Sequence, residues 1–461
     1  MYLSAPFAWV VVAGSMKPSR HDMGRMEPRN FLFVSADASL IGDIAWQVAK
    51  EGNDVRYFIA KPADKEVADG FVTKSDDWEA DVDWADVIVF DDIWVGNEIG
   101  TGALAEKLRA RGKAVVGGTQ ATDMLEDDRG YAMEILEKHG VSTLRHREFS
   151  DFDEAIEYVQ NEKCAFVIKP LGEVQNVKRL LYVGHQPDGS DVVDVLRAYK
   201  KAWGHRMKGF QLQKRVSGVE VAVCGFFNGK KFIEPVNLNF EHKKLFNNNI
   251  GPSTGEMGTS MFWCSRNNLF NRTLGKMEAW LAEQGFVGSI DLNCIVNGQG
   301  IHPLEFTPRF GYPTIMLQAE SINTPMGEVL WALANGKDPK MKVHRGYQVG
   351  VRICVPPFPF HDEATFEENS RNAAIVYRAD NKEGLHIQDT KNVDGQWRVA
   401  GDHGVVLFVT GKGGTMTEAR QQAYRRVANV IIPNMYYRTD IGARWIEGDG
   451  DRLQAWGYLG P

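Results

Sequence analysis

The sequence predicts an α/β fold that begins with an open parallel sheet and ends with a smaller α+β unit. Three observations predict it. From residue 30 to residue 118, short apolar runs and helical periodicity alternate as strand, helix, strand, strand, helix, strand, the order of an open parallel sheet. Two β runs then flank the turn Asn297-Gly298, which reads as a hairpin. From about His344, a nine-position alternation precedes a capped helix. The chain has 461 residues, of which 43% are hydrophobic and 25% charged. That is enough for about three domains and excludes a disordered or fibrous chain.

The elements follow in order. Phe31–Ser35 reads as a buried strand and Leu40–Lys50 as a helix with Ser39 near its N-cap. Val55–Ile59 and Val87–Phe90 are strands, Leu104–Arg111 is helical, and Ala114–Val116 is a strand ended by Gly117-Gly118. Such sheets bind ligands at the carboxyl ends of their strands. The first strand–helix turn has only Gly42, so the dinucleotide-binding fingerprint is missing. Tyr131, Ile135 and Leu136 form the apolar face of a helix stopped by Gly140. Phe166–Ile168 is a β run closing on Lys169-Pro170.

Val219, Val221 and Val223 alternate with Glu220, Ala222 and Cys224, which sets Glu220 opposite the valines. Asn247–Gly258 is expected to be a long loop, and long loops in compact domains are usually functional. Ile290–Ile295 and Ile301–Phe306 form the hairpin. Tyr347 to Val355 is a half-buried strand stopped by Pro356-Pro357, and Val405–Val409 is another. Thr415 and Glu418 form a capping box before a helix with Ala419, Ala423, Val427 and Val430 on one face.

Composition excludes several classes. Lys plus Arg is 53 against 60 Asp plus Glu, a net charge of −7 that argues against a general nucleic-acid surface. Five scattered cysteines without a CxxC pair exclude a disulfide framework or zinc cluster and fit a reducing cytosol. The apolar run Ala5–Gly14 is too short to span a bilayer and lacks a preceding basic residue, so residues 1–28 read as a disordered or misassigned leader.

The chemistry-bearing residues concentrate on the hairpin. Asp291 and Glu305 lie on adjacent strands, with Thr307 on the face of Glu305. Two carboxylates facing each other repel unless a cation sits between them, and magnesium takes one or two carboxylates alongside phosphate oxygens and water. By spacing alone, a pair of solvated strand residues is the better reading. Arg309 follows in a Pro-Arg-Phe-Gly-Tyr-Pro turn, suited to gripping a carboxylate or phosphate or to a structural ion pair. Lys169 at a strand end suits a phosphate. The run Gln213-Lys214-Arg215-Val216-Ser217-Gly218-Val219-Glu220 suits a planar base along its backbone and ribose hydroxyls at the carboxylate. Glu241-His242-Lys243-Lys244 reads by itself as a solvated face, and no GxSxG, HExxH or Walker A loop is present.

Taken in order, Lys169, QKRVSGVE, EHKK, GPSTGEMG and D…EFTPRFGYP resemble the ATP-grasp superfamily. Within it, the chain resembles the glycinamide ribonucleotide synthetase (phosphoribosylamine–glycine ligase) family. GPSTGEMG and EFTPRFG stand close to that family's GPNTGGMG and EFNARFG, and GVVLFVTGKGGTMTEARQQAY…MYYRTDIG resembles its last domain. The resemblance covers roughly residues 110–445.

It implies an ATP-grasp fold with an N-terminal pre-ATP-grasp domain over residues 29–125 and an ATP-grasp domain over 126–343, whose lid spans about 141–215. A C-terminal domain over 344–445 and a tail over 446–461 complete the layout. It also implies ATP and Mg²⁺ (or Mn²⁺) as cofactors. Asp291, Glu305 and Thr307 would hold the metal, and Lys169 and Arg129 the phosphates. Gln213, Lys214 and Val216 would face adenine and Glu220 the ribose, with Lys243 also on the nucleotide side. Arg309 would orient the carboxylate and the transferring phosphoryl group, with Arg309 and Lys169 as the catalytic pair. The implied reaction activates a carboxylate as an acyl phosphate, which an amine attacks to give an amide, ADP and phosphate. The implied partners are small molecules, an amino acid such as glycine and an amine, without nucleic acid or membrane, in a cytoplasmic monomer or homodimer.

The departures bear on the amine. The family's first loop, GGREHA, cradles the phosphate of phosphoribosylamine, and here its place is taken by Ala36-Asp37-Ala38-Ser39. The lid segment Gly172–Lys178 keeps one glycine, its lysine is shifted, and Thr307 replaces a metal-site asparagine. Two alternatives stay open: a relative repurposed for another amine or carboxylate in nucleotide or natural-product modification, and a non-catalytic nucleotide-binding protein.

Overall fold

The structure is a computed structural model that describes residues 27–35, 40–95, 99–175, 177 and 180–461. Ser39, the rest of the Ala36–Ser39 turn and Lys178 fall outside the described residues, as do positions 1–26 of the leader.

The N-terminal strands β1 (Asn30–Ser35), β2 (Asp54–Ile59), β3 (Val87–Phe90) and β4 (Val115–Val116) form one sheet in the order β2-β1-β3-β4, every pair parallel. Strands β1, β3 and β4 are buried apolar runs, as strands covered on both faces require, while the edge strand β2 alternates, with Val55, Tyr57 and Ile59 inward. Helix α1 (Gly42–Lys50) starts two residues later than expected and has no side-chain cap. Helix α2 (Thr101–Ala110) follows β3. Helices α3 (Gln120–Asp127) and α4 (Arg129–Lys138) lead into the middle segment, capped by Thr119 and by the Asp128 carboxylate.

The second sheet is antiparallel, with strands β5 (His146–Phe149), β6 (Phe166–Pro170), β7 (Tyr182–Val183) and β8 (Phe210–Lys214) in the order β5-β8-β6-β7. Helices α5 (Phe152–Glu162) and α6 (Ser190–Trp203) cover one side, and the layers bury Phe152, Phe166, Leu196 and Phe210 in a separate core.

The third sheet has eight strands: β9 (Val219–Asn228), β10 (Phe232–Glu241), β11 (Gly258–Cys264), β12 (Val287–Asn297), β13 (Gly300–Thr307), β14 (Tyr347–Cys354), β15 (Leu385–Ile387) and β16 (Val405–Gly413). They lie in the order β13-β12-β9-β10-β11-β14-β16-β15, so strands from before and after residue 344 share one sheet. The Asn247–Gly258 stretch is not a plain loop. Ile250–Ser253 pairs with Lys244–Phe246 as a small hairpin, and only the rest is irregular. Helix α7 (Thr314–Ser321) and helix α8 (Met326–Ala334) follow β13.

The Thr415–Glu418 capping box closes as expected at the start of helix α9 (Met416–Val427), burying Ala419, Ala423 and Val427. Val430 lies beyond the helix, in a short strand paired with Val376-Tyr377, because the helix ends at Val427. Residues 446–461 fold back onto the sheet. Leu453 and Tyr458 are buried, and the Tyr458 hydroxyl donates to the Asn297 carbonyl at 3.0 Å. No helix among the described residues is long and apolar enough to cross a membrane.

Charged contacts tie the units together. The Glu51 carboxylate accepts from the Met326 and Gly327 N–H groups at 2.6 and 2.8 Å, satisfying the free amides that open α8. Asp43 of α1 accepts from the Ile387 N–H at 3.0 Å and lies 2.8 Å from His386 Nδ1, with Gln47 donating to the same carboxylate. His386 Nε2 is 3.3 Å from Thr410 Oγ1 and 3.9 Å from Glu320. Burial of His386 opposes its charge, but Asp43 and Glu320 outweigh burial and raise its pKa, while Lys50 works against them.

A raised histidine adds stability that is complete below its ordinary value of about 6.5 and lost as pH rises through the higher folded value. The thermal midpoint is therefore expected to fall as pH rises from about 6.5, and His386→Gln should flatten that limb. His386→Ala should cost about 3 kcal/mol by stranding buried Asp43. Thermal unfolding of wild type and both variants across pH checks this.

Candidate active site

Where β9, β10 and β12 run side by side, part of one face of the eight-stranded sheet is polar. Cys224 stands opposite Asn237 on one side and Asp291 on the other, and Ala222 stands likewise between Asn239 and Asn293. The opposite face carries Val219, Val221, Val223, Leu238, Ile290 and Leu292 in the apolar core. Strand alternation thus sends Asn237, Asn239, Glu241, Ser289, Asp291 and Asn293 to a common side.

The hairpin geometry depends on a bulge. At its tip Asn297 pairs with Gly300, and an uninterrupted ladder would set Asp291 opposite Phe306. A register shift between Asn293 and Cys294 instead places Thr307 opposite Asp291 and Glu305 opposite Asn293. Asp291 and Glu305 therefore share a face but stand diagonally, which corrects the direct confrontation expected from spacing.

Asp291 is 4% exposed and hydrogen-bonded to Thr307. Burial pushes its carboxyl well above the ordinary range, with Glu241 adding repulsion and Arg309 pulling the other way. Glu241 is pushed up by burial against the pull of Lys243, with Glu220 and Glu305 repelling it. Glu256 is pushed well up by burial and by Glu241, and its Oε1 is a buried acceptor with no hydrogen-bond partner among the described residues. Asn293 Nδ2 donates to Glu241 at 3.1 Å, while Asn293 Oδ1 has no partner. This is an oxygen-rich wall with more anionic groups than it can satisfy internally, a donor set that fits a divalent cation.

The cations stand beside it. Lys243 Nζ lies 2.8 Å from Glu305, 3.3 Å from Glu220 and 3.4 Å from Glu241. Burial works against its charge, yet the three carboxylates carry its pKa well above the ordinary value. Lys243 in turn holds Glu305 down to about 2, although that side chain is 58% exposed and water screens the pair. Lys169, on strand β6, is buried. Burial lowers its pKa to about 8, Arg129 and Lys243 add to the fall, and Glu305 opposes it. Arg129 at the start of α4 donates to the Pro170 carbonyl at 3.3 Å, and burial lowers its pKa against the pull of Glu305.

The remaining expected residues are placed differently from one another. Gln213, next to the end of strand β8, is buried and donates to the Leu144 carbonyl at 3.5 Å. The Lys214 side chain is 55% exposed and pairs with Glu162 at 2.6 Å. Val216 is half-buried in the connection to β9, and Glu220 is engaged by Lys243. Arg309 is fully committed within the protein. Its Nη2 and Nε donate to Glu126 at 2.7 and 3.2 Å and its Nη1 to the Phe310 carbonyl at 3.0 Å, and Asp92 lies 3.6 Å away.

Sequence reading missed Glu241, Glu256, Asn293 and Glu126. Asn293 had a signal, since it stands two residues from Asp291 and so on its face. Glu256 stands in GPSTGEMG where the family motif has glycine, but nothing local shows that it turns inward. The Glu126–Arg309 pair joins residues 183 apart and had no local signal.

With the geometry in place, the comparisons are informative. The family described as "Phosphoribosylglycinamide synthetase, ATP-grasp (A) domain" matches residues 127–315, and its C domain matches residues 363–444. A phosphoribosylamine–glycine ligase of Caulobacter vibrioides is 25% identical over 419 residues, 88% of this chain and 96% of that protein. One of Halalkalibacterium halodurans is 23% identical over 413 residues, covering 87% and 94%. Among solved structures, the phosphoribosylamine–glycine ligase of Thermotoga maritima aligns with a TM-score of 0.63 at 20% identity, covering 89% of this chain and 100% of that one. A biotin carboxylase of Campylobacter jejuni aligns at 0.59 and 12% identity, covering 94% and 98%, and shares the fold. The two matched domains take in more than half of the sequence in the expected order, and the chain belongs to the phosphoribosylglycinamide synthetase family of ATP-grasp proteins.

Proposed function

We propose that this chain is an ATP-dependent carboxylate–amine ligase that takes glycine and phosphoribosylamine, as its relatives' name states for them, and serves purine biosynthesis. The observation that carries this reading is the side-by-side placement of the Asp291–Glu305–Thr307 wall and the Lys169–Arg129–Lys243 group. A polyphosphate needs both, oxygen ligands for its counter-cation and ammonium or guanidinium groups for its own oxygens. The family reading supplies ATP as the second substrate and a divalent metal as cofactor, which we take to be Mg²⁺ or Mn²⁺.

In this reading Asp291, Glu305 and Thr307 hold the metal, which when bound neutralises and orients phosphate oxygens. Lys169, still charged at neutral pH, and Arg129 grip the phosphates. The backbone from Gln213 through Lys214 to Val216 faces adenine, and Glu220 accepts from the ribose. Lys243 holds Glu220 and Glu305 in place.

The carboxylate oxygen of the acid attacks the γ-phosphorus and ADP leaves. The amine then attacks the acyl phosphate carbon, and phosphate leaves as the amide forms. A loose phosphoryl-transfer transition state needs positioning and charge neutralisation rather than a protein nucleophile. Arg309, in this role, exchanges part of its hold on Glu126 for the acid's carboxylate and the moving phosphoryl group. The reading also carries small-molecule partners, a monomer or homodimer, and a place in the cytoplasm.

Two outcomes test it. With Mg-ATP, glycine and phosphoribosylamine made in situ, ADP release should fall at least ~1,000-fold in Asp291→Ala and Glu305→Ala. No wild-type ADP release under these conditions would contradict the substrate assignment. The second outcome concerns stability. The raised carboxyl of Asp291 penalises the folded state increasingly as pH rises above the ordinary carboxylate range. Asp291→Asn should therefore raise the metal-free thermal midpoint by the equivalent of about 1–2 kcal/mol, more at pH 8 than at pH 5. It should also abolish the further rise that Mg-ADP gives wild type. Calorimetry at both pH values checks it.

A further inference from the structure

The turn between β12 and β13 is a junction, and Asn297 is the residue that makes it one. It ends β12 and is half-buried. Its Oδ1 accepts from the Gln299 and Gly300 N–H groups at 2.9 and 3.1 Å, which closes the turn into β13. Its Nδ2 donates to the Ser217 carbonyl at 2.9 Å, and its own carbonyl accepts from the Tyr458 hydroxyl at 3.0 Å. The tail meets this turn as a packed element. Leu453 and Tyr458 share the apolar core with Val296 and Ile301 beside the turn. The Tyr458 and Gly460 carbonyls accept from the Leu269 and Asn268 N–H groups at 3.1 and 2.7 Å, which fixes the segment that carries the hydroxyl. The Trp456 indole lies against the turn, where a Cβ on Gly298 would stand 3.3 Å from its nitrogen.

Ser217 belongs to the connection between β8 and β9. One end of that connection is fixed on the antiparallel sheet. The Arg215 N–H donates to the Ala165 carbonyl and its Nη1 to the Gly184 carbonyl, both at 2.9 Å. The other end passes close over β12, since a Cβ on Gly218 would stand 2.3 Å from the Val296 carbonyl oxygen. Asn297 therefore ties the connection to the same hairpin that carries Asp291, Glu305 and Thr307. Base and metal engage opposite ends of one nucleotide. A rigid link between the elements that hold them fixes their spacing before binding, so less ordering is left to the binding step.

We propose that Asn297, braced by Tyr458, is a positioning residue that sets nucleotide selectivity. By holding Ser217 it keeps the backbone of Lys214 to Val216 in the place that reads adenine. Asn297 touches no substrate and acts through the connection. This inference rests on the reading above, in which that backbone faces the base. Adenine offers an amino donor beside a ring-nitrogen acceptor, and guanine reverses both on the same edge. A backbone held in place therefore rejects guanine by leaving its own donors and acceptors unpaired, and a loose one adapts to either base.

Calorimetric Kd values for Mg-ATP and Mg-GTP test this in the full chain, for wild type, Asn297→Asp and Tyr458→Phe. The first variant keeps the acceptor that closes the turn and loses the donor to Ser217. The second keeps the packed ring and loses the hydroxyl. Asn297→Asp should weaken Mg-ATP about tenfold and Mg-GTP by less than about twofold. Tyr458→Phe should weaken Mg-ATP about threefold, again with little change for Mg-GTP. The KM for glycine should stay within about twofold in both variants. An unchanged ATP-to-GTP ratio in Asn297→Asp would overturn the proposal, whether both affinities held or both fell. Equal weakening of the two nucleotides with a lowered thermal midpoint is the mark of a structural brace alone. A wild type that binds the two nucleotides equally, or binds neither, would instead overturn the reading beneath the proposal.

Discussion

Carboxylates outnumber cations on the polar face of the eight-stranded sheet, and the rest of the site is arranged around that imbalance. Lys243 alone answers Glu220, Glu241 and Glu305, all within 3.4 Å of its ammonium. Behind it, Asp291 and Glu256 are buried without a cation of their own at hydrogen-bond range among the described residues, and both are pushed well up. Burying like charges together is costly unless function needs them. A bound cation and its phosphate counter-charge would relieve the excess, which is why the metal-free fold should be strained where the loaded one is not.

The scaffold delivers this wall by ordinary means. Strand alternation sends one residue in two to the polar side, and the bulge between Asn293 and Cys294 sets Glu305 and Thr307 on the same face as Asp291. The antiparallel sheet of β5 to β8 brings Lys169 over from a separate core, and α4 brings Arg129. On the other side Arg309, in the turn after β13, reaches Glu126 of α3 and ties the Asp291 wall to the helix that follows the parallel sheet. Long-range contacts such as the Asp43–His386 pair and the Glu51 carboxylate on the backbone amides that open α8 keep the N-terminal unit in register with the rest.

Much of this was legible in the sequence, and for physical reasons. The apolar runs of β1, β3 and β4 identify a covered parallel sheet, and Thr415 with Glu418 marks the start of α9 because the cap is local. Asp291, Glu305 and Thr307 were legible because a hairpin is local too. The hidden part is long-range. The bulge moves Asp291 from Phe306 to Thr307, and no turn signal announces it. Lys243, read alone, looks like a solvated charge, yet three carboxylates from other strands enclose it. Helical spacing placed Val430 on α9, but pairing with Tyr377 drew it into a strand. The Asn247–Gly258 stretch looked structureless from composition because its pairing partner is the short run Lys244–Phe246.

The central claim is that the acid is activated on its own oxygen by ATP. Glycine labelled with ¹⁸O in both carboxylate oxygens tests it most directly, with Mg-ATP and phosphoribosylamine made in situ and the released phosphate analysed by mass. The account predicts that each phosphate released carries one ¹⁸O, in step with amide formation. Amide formation with unlabelled phosphate would contradict it, because the oxygen lost from the acid would then have left by another route.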